Sequence, residues 1–81
     1  MTKKQLQREW ERLKFEIFVN KPQTDKPYSQ HIVRRREFLL FAEVHLNNIF
    51  LAKAKRDRWD EKFETEMYNK VMELYYNWSQ K

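Results

Sequence analysis

The chain has 81 residues, 36% of them charged, with a formal charge of +5, two prolines and neither glycine nor cysteine. That length allows one domain with a modest core, hiding little more than about 60% of the surface its unfolded chain exposes. The missing residue types exclude disulfides, thiolate metal sites, thiol nucleophiles and any glycine-rich phosphate loop.

Thr2 is placed to cap a first helix, predicted from about Lys3 to Asn20. Leu6, Trp10, Leu13 and Ile17 recur at spacings of four, three and four and define one narrow apolar face. Phe15 and Val19 fall on roughly the opposite side, where they either lie under the following loop together with Phe18 or contact another chain. Leu13, Phe15, Ile17 and Val19 also alternate with period two as a strand would, but no other segment offers a strand to pair with. Asn20 tolerates a left-handed closing residue, and Pro22 cannot continue the ladder, so the helix stops there. Residues 21 to 28, KPQTDKPY, hold both prolines and form a loop.

Ser29 is the natural cap of a second helix, and from there to Lys81 no proline or glycine occurs. A continuous helix over that span would be nearly 80 Å long at about 1.5 Å per residue. A break is predicted near Arg56 to Asp60, where Asp57 can cap a new helix with Asp60 at its third position. The second helix is thus expected over about 29–56 and the third over about 58–80. Phe63, Met67, Val71, Leu74 and Trp78 form the main apolar stripe of the third, with Tyr68, Met72 and Tyr75 as its shoulder.

The middle helix contains FLLFAEVHLNNIFLA, Phe38 to Ala52, whose apolar side chains point in every direction and leave no solvated face. At about 15 residues, with Glu43 and two asparagines inside, it is too short and too polar to span a bilayer. Two flanking helices cover half to two-thirds of such a rod, leaving Leu40, Val44 and Leu51 for a partner. The expected fold is all-α, a small three-helix up-down bundle or helical hairpin assembled as a homodimer.

Charge is unevenly spread, since residues 1 to 36 carry +6 and residues 37 to 81 carry −1. Such asymmetry suggests an acidic macromolecular partner. Arg34, Arg35 and Arg36 fan around the helix at about 100° steps, so one surface cannot use all three equally. In an up-down bundle Lys53, Lys55, Arg56 and Arg58 share one pole with Lys3, Lys4 and Arg8, while Lys21 and Lys26 join the arginines at the other. These residues suit an acidic protein partner, or phosphates with Trp59 or Tyr28 stacking on bases; alternatively, the arginines pair with carboxylates such as Glu73 and solubilise the domain.

Chemistry of other kinds finds little material. Neither His31 nor His45 has a carboxylate or second histidine three or four positions away, so no metal site is expected, and His45 reads as an imidazole with one hydrogen-bond partner. Ser29 and Ser79 sit in no nucleophile motif, and Asp57, Asp60, Glu61 and Glu64 read as capping and dipole-matching groups. No cofactor and no enzymatic activity are expected. The charged MTKKQLQREWERLK stretch lacks the apolar core of a signal peptide, which together with the missing cysteine predicts a cytoplasmic location. In style, short helical chains without glycine or cysteine look like the small accessory proteins of phages and mobile elements, a likeness that covers no motif.

Overall fold

The computed structural model describes residues 1–20 and 30–79, with the backbone alone at 30 and 31. The loop of residues 21 to 28, with Lys21, Lys26 and Tyr28, the Ser29 cap and the side chain of His31 lie outside the described residues. Three helices make up the described chain, with no strand among them: α1 over Lys3–Val19, α2 over Gln30–Lys55 and α3 over Arg58–Ser79. The period-two pattern of Leu13 to Val19 is overridden by helical packing, with Leu6 and Leu13 both buried on one face.

Local chemistry accounts for the ends. Thr2 Oγ1 accepts the Gln5 amide at 3.2 Å while Gln5 Oε1 accepts the Thr2 amide at 2.9 Å, a reciprocal box that satisfies two donors at the start of α1. Asn20 closes α1 differently from the left-handed ending its residue type allows. Its φ is −92°, and its backbone amide at 3.1 Å and side-chain amide at 2.8 Å both donate to the Glu16 carbonyl.

Between α2 and α3 the chain reverses at Arg56, whose φ is 58°. The Asp57 amide reaches the Ala52 carbonyl at 2.9 Å and the Arg56 amide reaches Lys53 at 3.1 Å, the paired bonds of a Schellman ending built without glycine. Asp57 then caps α3 by accepting the Asp60 amide at 3.1 Å. One residue therefore closes α2 and opens α3, and the pair folds back as a hairpin.

The helices alternate in direction. Arg36 near the start of α2 reaches the Ile17 carbonyl near the end of α1 at 3.5 Å, and Lys53 near the end of α2 meets Glu61 near the start of α3 at 2.9 Å. The core is one cluster of Leu6 and Leu13 from α1, Leu39, Ala42, Leu46 and Ile49 from α2, and Tyr68, Met72 and Tyr75 from α3.

On α3 the expected shoulder forms the inner face, while the expected stripe splits, with Met67, Val71 and Trp78 half-buried. Tyr68, Met72 and Tyr75 are buried, whereas Phe63 is 50% and Leu74 53% exposed. The cause is polar. The Tyr68 hydroxyl donates to Glu9 and the Tyr75 hydroxyl to Glu16, each at 2.6 Å, so α3 turns its tyrosines inward to carboxylates that α1 presents seven residues apart. Burial, and then the bond to Glu9, push the Tyr68 hydroxyl well above the usual phenol range.

Stability measurements distinguish the two faces of α3. Met72→Ala is expected to cost roughly 2–5 kcal/mol in urea denaturation, and Phe63→Ala less than about 1 kcal/mol. Tyr75→Phe, which leaves a carboxylate and two donors without their hydroxyl, is expected to cost about 1–3 kcal/mol.

Candidate functional site

The three consecutive arginines do different things. Arg34 is exposed and pairs with Glu37 of its own helix at 3.3 Å. Arg35 is half-buried, lies over the Tyr75 ring at 5.6 Å and donates to the Tyr75 hydroxyl at 3.3 Å, while Arg36 serves the end of α1. The Tyr75 oxygen thus accepts from Arg35 and from Asn20, the latter at 3.4 Å, and donates to Glu16. The expected pairing with Glu73 is absent among the described ion pairs, because Tyr75 and the α1 carbonyl end take the inward-facing guanidiniums. Of this run, Arg34 alone faces outward.

The opposite pole holds most of the accessible lysines and arginines among the described residues. Antiparallel packing brings Lys3, Lys4 and Arg8 to the end of the molecule that carries Lys53, Lys55, Arg56 and Arg58. Lys53 is paired with Glu61, while Lys3, Lys4, Arg8, Lys55, Arg56 and Arg58 form no ion pair with the described residues. Trp59, 77% exposed, stands among them.

Between the first half of α1 and the last half of α2 runs an open groove of about 790 Å³. Leu6, Trp10, Phe50 and Ala54 give it an apolar floor, and Lys3, Gln7, Asn47 and Lys53 its polar rim. Sequence reasoning missed this feature, reading Trp10 as plain core and Phe50 as one more member of the apolar run. The signal lay in the antiparallel register, which sets Leu6 and Trp10 of α1 beside Phe50 of α2.

The clustered carboxylates have structural partners. Asp57 caps α3, Glu61 holds Lys53, and Glu64 Oε2 lies 2.6 Å from His45 Nδ1, giving the half-buried imidazole its partner from another helix. The negative charge of Asp57 raises the carboxyl of Asp60 above its usual range. The hydrogen bond from Lys53 holds Glu61 below its ordinary 4.5. No three histidine or acidic side chains among the described residues are grouped as metal ligands, and no described helix is long and apolar enough to cross a membrane.

Apolar exposure is wider than the sequence indicated. Phe15, Val19, Leu40, Val44 and Leu51 are all exposed, and so are Phe18, Val33, Phe41, Phe50, Phe63 and Leu74. Phe41 and Phe50 lie on the two edges of α2, toward α3 and α1 respectively, where neighbouring helices lean on the rod without enclosing it.

Because Glu61 ionises more readily in the folded chain, its contribution to stability is present above pH 4.5 and fades as pH falls through its lowered folded value. An NMR titration is expected to place Glu61 below 4.5, and Lys53→Met to return it toward that value. No protein-family model, curated protein or solved structure matches this chain.

Proposed function

We propose that this chain is a non-enzymatic protein-binding module that self-associates and docks an acidic, partly apolar segment of another protein. The observation that carries the reading is the α1/α2 groove, whose apolar floor opens at the pole where most of the accessible lysines and arginines gather. Apolar floors with few polar rim groups are the usual construction of binding sites. The surrounding positive charge favours encounter with acidic partners and raises association rates at low salt. Self-association is supported by the exposed apolar side chains of α2, since contiguous patches of this kind mark contacts with other molecules.

A nucleic-acid-binding dimer is the second reading, favoured by one feature. Trp59 stands exposed beside Lys55, Arg56 and Arg58, which suits base stacking with phosphate contacts. Arg35 and Arg36 are engaged inside the molecule and add little to either reading.

A synthetic amphipathic helix with an acidic face and a leucine-rich face is the probe that tests the proposal. It is expected to bind, more weakly as salt rises, and Phe50→Asp to weaken binding by at least about tenfold. Folding is expected to survive that change, because Phe50 is largely exposed. Steeply salt-dependent retention of arbitrary duplex or single-stranded nucleic acid, lost with Trp59→Ala and untouched by Phe50→Asp, would instead establish the second reading.

A further inference from the structure

α2 carries two apolar seams, and the described residues cover one. Its inner seam, at alternating spacings of four and three, is Arg35, Leu39, Ala42, Leu46, Ile49 and Lys53, with the four apolar members fully buried and the two basic ends half-buried. An outer seam of the same spacing runs Val33, Glu37, Leu40, Val44, Asn47 and Leu51, and every member is exposed, Val44 by 54% and Leu51 by 53%. Spacing of this kind is what helices use to pack side by side.

The outer seam reads apolar, polar, apolar, apolar, polar, apolar, the same in both directions about position 42. An isologous two-fold contact demands that kind of self-complementarity, because residue i meets j wherever j meets i. We propose, resting on the self-association reading above, that a second copy of this chain packs its α2 antiparallel on this seam with the two-fold axis beside Ala42. Val33 then lies against Leu51 of the other copy, Leu40 against Val44, and Glu37 against Asn47, which can donate to its carboxylate.

Charge selects this arrangement over a parallel one, which would set Glu37 against its own copy in the middle of an apolar strip, a like-charge contact that interfaces avoid. Sliding the antiparallel pair by a heptad puts Leu40 on Leu51 but Val44 on Asn47 and Glu37 on Ala54, so apolar and polar groups no longer match. In the matched register Phe41, exposed on the α3 edge, meets its counterpart across the axis, with Phe63 and Leu74 of α3 on the same side. Glu43, half-buried on the other edge beside Trp10 and Lys14 of α1, comes opposite its own copy there, outside the apolar strip. From Val33 to Leu51 the seam is about 27 Å long, and with a helix-pair width of about 20 Å it offers on the order of 500 Å² per copy, below the roughly 800 Å² of a standard interface. Association is therefore expected to be reversible and concentration-dependent.

With no native cysteine, introduced thiols report the register directly. Val33→Cys and Leu51→Cys chains, mixed and treated with a short thiol cross-linker, are expected to give a heterodimer, while Leu51→Cys alone gives none, its two copies being about 27 Å apart. Val44→Arg is expected to weaken association at least tenfold in sedimentation equilibrium with an unchanged helical spectrum. Efficient cross-linking of Leu51→Cys with itself would establish a parallel pair, and of Leu40→Cys with Leu51→Cys the shifted register. Either result overturns this interface while leaving self-association standing. A chain that stays monomeric to millimolar concentration overturns both.

Discussion

Two tyrosine hydroxyls decide how this molecule is put together. α2 and α3 are tied by the Asp57 turn and pack along their length, but α1 contributes only Leu6 and Leu13 as fully buried apolar side chains. It packs against α2, with Trp10 and Ile17 half-buried on the core, and what ties it to α3 is the pair of 2.6 Å bonds from Tyr68 to Glu9 and from Tyr75 to Glu16. A carboxylate acceptor makes each stronger than a neutral hydrogen bond, about 1.5–3 kcal/mol in net terms. Their spacing of seven on both helices also sets register, since a slide of one residue would break both at once.

That clasp spans a gap. The α1 backbone lies against α2 and stands off from α3, so the long tyrosines of α3 bridge the separation to Glu9 and Glu16. The groove floored by Leu6, Trp10 and Phe50 runs along the α1/α2 side.

Much of this frame was legible in the residues. Thr2 as a cap, Asp57 with Asp60 three positions on, and the all-round greasiness of Phe38 to Ala52 each carry a local physical meaning that the fold keeps. The inward face of α3 was not legible, because a stripe chosen by apolarity favours Phe63 and Leu74 over Tyr68 and Tyr75, and only Glu9 and Glu16 on a distant helix reverse that order. The arginines were legible in part. Their 100° steps already separate them around the helix, but Arg35 lies on Tyr75 and Arg36 on the Ile17 carbonyl, partners 40 and 19 residues away that no local spacing reveals. His45 was legible as a residue with one partner, though not as a partner of Glu64.

The same partition explains where charge remains available. At the pole that holds Arg34, Arg35 and Arg36, Glu37, Tyr75 and the Ile17 carbonyl each engage one of the three arginines. At the lysine pole Asp57 is spent on a cap and Glu61 on Lys53 and the Met1 amino group, so Lys3, Lys4, Arg8, Lys55, Arg56 and Arg58 remain on the surface. Lysines and arginines without an ion pair and the open groove therefore lie at one end of the bundle. The outer seam of α2 passes beside it, with Asn47 on the rim of both. A second copy on that seam would raise a wall along the groove without filling it, and so couple self-association to the shape of the surface offered to an acidic partner.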